Sequence, residues 1–184
     1  MMRLSEAALA TRGKVIGQDA LFTSVGSDSR ALTPGQLFVA LRGEHFDGHD
    51  YAQSCLDHGA AAAMISTEQD NLSAALLVQD TRLALGELAA HWRSKFNIPL
   101  AAITGSNGKT TVKEMLASIL RAATGDDDSV LATQGNLNND IGLPLTLLKL
   151  RAQHRYAVAE MGMNHAGEIR YLTRIGRPTV VLVN

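Results

Sequence analysis

The 184-residue sequence has one cysteine, almost no net charge and no long apolar run. The single cysteine, Cys55, excludes an intramolecular disulfide and suits a reducing compartment. A net charge of −1 and a pI near 6.6 argue against a protein that binds nucleic acid by neutralising its phosphates. Any phosphate-bearing partner is therefore expected to be a small molecule held at one local site.

The N-terminal residues are not predicted to form a secretion signal. Residues 1–10 contain one Arg and a short apolar stretch that is broken by Glu6, which does not fit a signal peptide. No run reaches the roughly 18 apolar residues that a membrane span requires. The sequence thus predicts a soluble, cytoplasmic protein without a membrane partner.

Residues 104–111 form the most informative segment, Thr-Gly-Ser-Asn-Gly-Lys-Thr-Thr. The segment follows an apolar run at 99–103 and precedes a helix-like stretch at 112–123, so a strand, a glycine-containing loop and a helix are expected in succession. That succession forms a phosphate cradle, because backbone N–H groups and the positive end of the helix dipole face the anion. The segment therefore predicts nucleotide binding.

Two side chains of this loop carry the expected chemistry. Lys109 would neutralise the terminal phosphates, and the Thr110 hydroxyl would ligate Mg²⁺. Further nucleotide contacts are expected from Gly105, Ser106, Asn107, Gly108 and Thr111. The full Walker pattern has a glycine where this chain has Ile103, so a glycine-rich turn capped by Thr is the alternative interpretation.

The pattern of the chain predicts an α/β fold whose two halves differ in character. Residues 1–80 predict a small α/β domain, with helices at 4–11 and 51–58 and strands at 36–41, 61–66 and 76–79. Residues 81–184 alternate regularly, with strands at 100–104, 130–133, 156–161 and 179–183 and helices at 82–96, 112–123, 141–150 and 167–175. Such alternation predicts a mainly parallel sheet. Thr81 is the predicted N-cap of the helix that begins the second half.

Glu160 is the most informative residue outside the phosphate loop. It ends an apolar strand, where an unpaired carboxylate is costly to bury. A carboxylate at a strand end near a phosphate loop is a usual holder of Mg²⁺ in nucleoside-triphosphate enzymes. The alternative interpretation is a structural salt bridge with Lys109 or a nearby Arg.

Two further polar loops are expected at the same sheet edge, because ligands bind beyond the carboxyl ends of parallel strands. The loop at 134–140 offers Asn136 and Asn139, and the loop at 160–167 offers Asn164 and His165. Asn also favours turns and helix caps for purely local reasons. Binding and capping therefore both remain open for these residues.

The first half contains two candidate anion-binding segments. One is Asp28-Ser29-Arg30, and the other, Phe46-Asp47-Gly48-His49, places a histidine beside a glycine. An exposed Arg or His next to glycines could hold an anionic ligand. Both segments could equally be ordinary turns.

Taken together, these motifs resemble the Mur ligases of bacterial cell-wall synthesis, whose ATP loop characteristically lacks the first Walker glycine. The strings Gly135-Asn136-Leu137-Asn138-Asn139-Asp140 and Glu160-Met161-Gly162-Met163-Asn164-His165 resemble the branch that adds D-alanyl-D-alanine. The segments around Arg30 and His49 resemble the UDP-binding domain that the family's tripeptide- and dipeptide-adding members share.

The resemblance implies an ATP- and Mg²⁺-dependent amide ligase. ATP would phosphorylate the terminal carboxylate of UDP-N-acetylmuramoyl-tripeptide, and the amine of D-alanyl-D-alanine would attack the acyl phosphate. Lys109 and Glu160 would be catalytic, and Thr110 and Glu160 would hold the metal. Substrate contacts would come from Asp28, Ser29, Arg30, Asp47, Gly48, His49, Asn136, Asn139, Asn164 and His165.

The resemblance also implies a fragment. Residues 1–80 would be the UDP-substrate domain, and residues 81–184 would be the N-terminal part of a longer ATP-binding domain. Alone, such a fragment is expected to be inactive, whereas the full-length enzyme is expected to be a monomer. The alternatives are a tripeptide-forming Mur ligase, a folylpolyglutamate synthase, a non-catalytic module that binds a UDP-sugar or nucleotide, and an unrelated P-loop kinase or GTPase.

Overall fold

The computed structural model of residues 1–184 divides into two units, Met1–Leu88 and Ala89–Asn184. The division falls within a helix that begins at Thr81, eight residues beyond the boundary expected at residue 80. The elements of the first unit are β1 Met2–Arg3, α1 Leu4–Thr11, β2 Lys14–Gly17, β3 Leu21–Phe22, β4 Ser24–Gly26, β5 Gln36–Val39, α2 Ala52–Asp57, β6 Ala62–Ile65, β7 Ala74–Leu77 and, across the division, α3 Thr81–Ser94. The elements of the second unit are β8 Leu100–Thr104, α4 Lys109–Thr124, β9 Val130–Ala132, α5 Gly142–Leu147, β10 Tyr156–Glu160, α6 Glu168–Gly176 and β11 Val180–Val183.

The first unit contains a five-stranded sheet in the order β2-β7-β6-β5-β4. Strands β4 to β7 are parallel, whereas β2 pairs with β7 in the antiparallel direction. Strands β1 and β3 form a separate antiparallel ribbon. Phe38, Ile65 and Cys55 lie in the buried core, so the single cysteine packs as a small apolar residue.

Several elements of this unit differ from the sequence-based expectation. The strands before Gln36 were not predicted, because runs of two to four residues are too short to show a period. Strand β7 lies two residues before the predicted 76–79. It begins with Ala74 and Ala75, which have low strand propensity but are buried in the sheet.

The N-cap of α3 is Asp80 rather than the predicted Thr81. The Asp80 carboxylate accepts hydrogen bonds from the backbone N–H groups of Arg82 and Leu83, at 2.8 and 2.9 Å. Thr81 is buried, and its hydroxyl donates to the carbonyl of Ala40 at 2.8 Å. Asp and Thr both cap helices well. Which of the two caps α3 is decided by the contact of Thr81 with Ala40, which is distant in the sequence and cannot be predicted from the local residues.

The second unit contains a four-stranded sheet in the order β11-β8-β10-β9, and all its strands are parallel. The carboxyl ends of these strands therefore share one edge, as the alternating pattern predicted. Helix α4 begins at Lys109, three residues before the predicted 112, and α5 ends at Leu147, three before the predicted 150. After Leu147 the chain continues as a tighter turn, in which the N–H of Leu150 donates to the carbonyl of Leu147.

The helices of this fold are short compared with a membrane-spanning helix. The longest helix, α4, has 16 residues. No helix in the fold combines the length and the apolar character that a membrane-spanning segment needs.

Candidate active site

The phosphate loop connects the end of β8 to the first turn of α4. Gly105 has a φ of +141°, and a Cβ at this position would collide with the backbone of Asn184. Gly108 has a φ of +74° and precedes the first helical residue. Both positions therefore need glycine, because L-residues with side chains rarely adopt these conformations.

The start of α4 directs backbone N–H groups toward the loop. The first helical hydrogen bond runs from the N–H of Val112 to the carbonyl of Gly108, at 3.0 Å. The N–H groups of residues 109–111 consequently have no intrahelical acceptor, as at any helix start. The Lys109 ammonium lies over the same loop and donates to the carbonyl of Gly105 at 2.9 Å. The loop and the helix start therefore have a geometry that suits an anion, and phosphate binding by residues 105–111 stays a prediction.

Glu160 ends β10 with its side chain in the interior. The residue is 2% exposed. One carboxylate oxygen accepts a hydrogen bond from the Thr110 hydroxyl at 2.9 Å, and the other accepts from the Asn138 amide at 2.8 Å. Its own backbone N–H donates to the Thr133 hydroxyl at 3.0 Å. The alternative of a salt bridge with Lys109 or an arginine is not what the structure contains, since neutral donors satisfy the carboxylate.

The donor set around Glu160 fits a hard divalent cation. The Thr110 hydroxyl and the Glu160 carboxylate converge within hydrogen-bonding distance, and both are oxygen ligands of the type that Mg²⁺ prefers. The chain has no cluster of three or more His, Cys, Asp or Glu side chains that could hold a metal by themselves. Mg²⁺ commonly takes one or two protein ligands and completes its shell with water and substrate phosphates. The two residues thus fit a nucleotide-bound Mg²⁺.

The Asn-rich loop divides its side chains between the site and the helix that follows. The Asn139 side-chain oxygen accepts hydrogen bonds from the N–H groups of Ile141 and Gly142, at 3.2 and 2.8 Å, so Asn139 caps α5. Asn136 is exposed. Asn138 makes the contact with Glu160, although the sequence did not place it among the expected substrate contacts. Nothing in the sequence distinguished Asn138 from its neighbours, because the selection depends on which side chain faces β10.

Asn164 and His165 lie exposed in the loop between β10 and α6. Their backbone N–H groups donate to one oxygen of the Glu168 carboxylate, at 2.7 and 3.3 Å. These bonds, the one from Asn164 first, lower the pKa of Glu168. The loop is therefore held through its backbone by the first residue of α6, and a substrate role for the two side chains stays a prediction.

The first unit contains an open cleft of about 510 Å³. Its lining residues are Ser27, Asp28, Ser29, Arg30, Phe38, Phe46, Gly48 and Tyr51. The Arg30 guanidinium donates to both carboxylate oxygens of Asp28 at 2.9 Å. This pairing lowers the pKa of Asp28 to about 2 and raises that of Arg30. The cleft thus combines exposed aromatic rings, Phe46 and Tyr51, with a fixed ion pair.

The second predicted segment of this unit presents less to solvent. The His49 side chain is 4% exposed. Its Nε2 accepts from the N–H of Ser66 at 2.9 Å, so Nδ1 carries the proton and donates to Asp47. The pKa of Asp47 is lowered to about 2, mainly because the backbone N–H of His49 donates a hydrogen bond to its carboxylate. Hydrogen bonds from the His49 imidazole and the Arg42 guanidinium lower it further. His49 therefore supports the loop from inside and does not offer its ring to a ligand.

Gly48 contributes a close approach of two backbone segments. Its N–H donates to the carbonyl of Leu41 at 2.8 Å, and a Cβ at Gly48 would lie 2.7 Å from that same oxygen. Only glycine fits there without displacing the chain. Of the predicted contacts in this unit, Asp28, Ser29, Arg30 and Gly48 line the cleft.

Both units match domains of one family of known proteins. Residues 21–93 match the catalytic domain of the Mur ligase family, and residues 103–184 match the Mur ligase middle domain. The chain belongs to the Mur ligase family. The resemblance that the sequence motifs suggested is confirmed.

Individual Mur ligases match the chain over nearly its whole length. The UDP-N-acetylmuramoyl-tripeptide–D-alanyl-D-alanine ligase of Haemophilus influenzae is 46% identical across 100% of the chain, and that of Escherichia coli is 48% identical across 98%. The chain covers 41% and 39% of those two proteins. It therefore spans about two fifths of the length of the curated relatives that it matches.

Solved structures of the family agree with the fold. A crystal structure of MurF from Acinetobacter baumannii matches 99% of the chain with a TM-score of 0.90 and 41% identity, and the chain covers 40% of that protein. The MurF ligase of Thermotoga maritima, solved in complex with ADP, matches 90% of the chain with a TM-score of 0.77 and 33% identity, and the chain covers 38% of it.

Proposed function

We propose that the whole protein is an ATP-dependent amide ligase that adds D-alanyl-D-alanine to UDP-N-acetylmuramoyl-tripeptide in peptidoglycan precursor synthesis. The observation that carries this proposal is the Thr110–Glu160 contact beside the phosphate loop, in a chain that is 46% and 48% identical to two ligases of that name over nearly all of its own residues. The reaction consumes ATP and belongs in the cytoplasm.

The second unit would bind the nucleotide. Residues 105–111 would surround the phosphates with backbone N–H groups, and the Lys109 ammonium would leave the Gly105 carbonyl to pair with the terminal phosphates. The Thermotoga maritima relative was solved in complex with ADP, which supports nucleotide binding by this protein. Thr110 and Glu160 would hold Mg²⁺, which when bound screens the negative charge on the phosphates.

The chemistry begins with two anions that repel each other. The substrate carboxylate must approach the γ-phosphate in line, and Lys109 lowers the cost of that approach by pairing with the phosphate oxygens. The carboxylate oxygen forms a bond to phosphorus as the bond to ADP breaks, giving an acyl phosphate. The amine of D-alanyl-D-alanine then attacks the acyl carbon, and phosphate leaves through a tetrahedral intermediate.

The first unit would bind the UDP portion of the substrate in the cleft near Arg30. The exposed rings of Phe46 and Tyr51 offer flat apolar surface, and Arg30 offers a charged planar donor of the kind that matches phosphate. Asp28 holds the guanidinium in one orientation. Asp47 and His49 would act indirectly, by keeping Gly48 and the loop in place.

An isotope experiment tests the proposal at the level of the reaction. The whole protein is incubated with Mg²⁺, ATP, D-alanyl-D-alanine and UDP-N-acetylmuramoyl-tripeptide labelled with ¹⁸O in its terminal carboxylate. We expect one ¹⁸O to appear in the released phosphate, because the carboxylate oxygen bonded to phosphorus leaves with it. Released phosphate that carries no ¹⁸O would refute the acyl-phosphate route.

Acceptor choice separates this ligase from its relatives. D-Alanyl-D-alanine should give product with the UDP-tripeptide. Diaminopimelate or lysine, offered with the corresponding UDP-dipeptide, should give none. The reverse preference would assign the protein to the tripeptide-forming branch.

A further inference from the structure

Lys113 is a fully buried lysine that the proposed reaction does not use. It lies in α4, one helical turn after Lys109, and is 1% exposed. A lysine is rarely buried to this degree unless its charge is paired, because an isolated charge loses its hydration. The Lys113 ammonium donates to the carbonyl of Thr133 at 2.8 Å and to the carboxylate of Glu114, which remains exposed.

Thr133 connects this buried charge to the metal-binding candidate. The residue follows β9, is 1% exposed, and donates its N–H to the carbonyl of Val158 at 3.0 Å. Its carbonyl accepts from Lys113, and its hydroxyl accepts from the backbone N–H of Glu160 at 3.0 Å. Thr133 thus bonds α4 on one side and the end of β10 on the other.

The bond from Glu160 to the Thr133 hydroxyl lies just beyond the last paired residues of β9 and β10. The paired residues of β9 and β10 run from Val130 and Tyr156 to Ala132 and Val158. Beyond them, the Thr133 hydroxyl takes the place of a backbone acceptor for the N–H of Glu160. On the side that faces β9, the position of the Glu160 backbone therefore depends on the position of Thr133.

We propose that Lys113 is a positioning residue for the Thr110–Glu160 pair. Lys113 and Thr110 are three residues apart on one helix, so the helix that supplies the hydroxyl ligand also fixes Thr133 and, through it, the strand end that supplies the carboxylate. In this role Lys113 touches neither nucleotide nor metal. The inference rests on the proposed function, because it assigns the pair to a nucleotide-bound divalent cation.

Four variants of the whole protein test this role. Lys113→Met keeps the length of the side chain and removes the charge and the donors. Thr133→Val removes the hydroxyl that accepts from Glu160, whereas Thr133→Ser keeps it as the conservative rescue. Glu114→Gln removes only the exposed carboxylate partner of Lys113 and is the matched control.

The readout is the Mg²⁺ concentration that supports half-maximal ADP binding, measured by calorimetry, together with ADP affinity in EDTA. Lys113→Met and Thr133→Val should each raise the Mg²⁺ requirement about tenfold, as loss of a residue that orients a metal ligand does, and leave ADP affinity in EDTA unchanged. A fifth variant that combines Lys113→Met with Thr133→Val should be no worse than either single variant, because both residues act through one chain of bonds. Thr133→Ser and Glu114→Gln should stay within about twofold of the parent protein.

The outcomes separate this inference from the proposed function. A parent protein that binds ADP with no Mg²⁺ dependence would overturn the proposed function and the inference with it. A parent with normal Mg²⁺ dependence, and a Lys113→Met variant that only unfolds at lower temperature, would make Lys113 purely structural and overturn the inference alone. If Lys113→Met does not fold, an unchanged Mg²⁺ requirement in Thr133→Val relative to Thr133→Ser would likewise overturn the inference alone.

Discussion

The candidate sites of the two units differ in how their charged side chains are held. In the second unit, Glu160 is buried and bonded to residues 22 to 50 positions away in the chain. In the first unit, the Arg30 side chain is 87% exposed, and its bonds go to Asp28, two positions away. Glu160 is thus held by a helix, a loop and the end of a neighbouring strand, whereas Arg30 is held within a single turn.

This difference indicates what each site can tolerate. Moving any strand or helix that meets at Glu160 would disturb the Thr110–Glu160 pair, so neighbouring substitutions should be coupled. The Asp28–Arg30 pair is exposed, and exposed ion pairs add little to stability, so changes there should affect ligand binding alone.

The largest effect should come from Lys109 in the phosphate loop. Lys109→Met should lower kcat about 1,000-fold, because the positive charge that pairs with the transferring phosphoryl group is lost. The KM for the UDP-substrate should stay near that of the parent. Steady-state kinetics measures both, with Lys14→Met, at the exposed first residue of β2, as the control. A decrease in kcat of less than tenfold would show that Lys109 does not stabilise the transition state.

Glu160 should come next. Glu160→Gln keeps the size of the side chain but removes the charge that favours a cation, so the Mg²⁺ requirement should rise roughly 10- to 100-fold. Titration of activity with Mg²⁺ measures the change, and Glu87→Gln, an exposed site on α3, is the control. Equal Mg²⁺ curves for Glu160→Gln and the parent would contradict the assignment.

Arg30 tests the local site. Arg30→Gln should raise the KM for the UDP-substrate about tenfold, since a hydrogen bond to a charged group contributes about 1.5 kcal/mol or more. The KM for ATP should not change. Arg12→Gln, at an exposed position in the same unit, is the control. If the KM for ATP moved instead, the two sites would not be separate in function.

The smallest effect should be acid sensitivity at Asp47. Its pKa is lowered from 3.8 to about 2, so the ionised carboxylate stabilises the fold above pH 3.8 and this contribution is lost as the pH falls toward 2. Asp47→Asn should lower the urea midpoint at pH 5 and weaken its dependence on pH between about 4 and 2. The exposed Asp70→Asn variant should follow the parent. An Asp47→Asn curve parallel to the parent would exclude this role.

The sequence predicted much of the second unit and less of the first. The strand, loop and helix at 100–124 and the strand-end position of Glu160 follow from hydrophobic pattern and glycine placement, which are local. Asn138, Lys113 and the burial of His49 could not be predicted. Each depends on which side of a loop or helix meets another strand.

The two Asp-containing turns of the first unit have the same local hydrogen bonds but differ in the exposure of their side chains. Asp28 and Asp47 each accept a bond from the N–H two residues later and then pair with that residue's side chain. Arg30 is nevertheless exposed, whereas His49 is buried against Ser66. Local sequence predicts such a turn, but only the rest of the fold decides whether its side chain can reach a ligand.

A crystal structure of the whole protein with Mg²⁺ and ADP tests the central claim most directly. We predict the β-phosphate on the loop at 105–111, with Mg²⁺ about 2.1 Å from the Thr110 hydroxyl and Glu160 bound to it directly or through one water. Nucleotide bound elsewhere, or Mg²⁺ held by neither Thr110 nor Glu160, would contradict the proposed site.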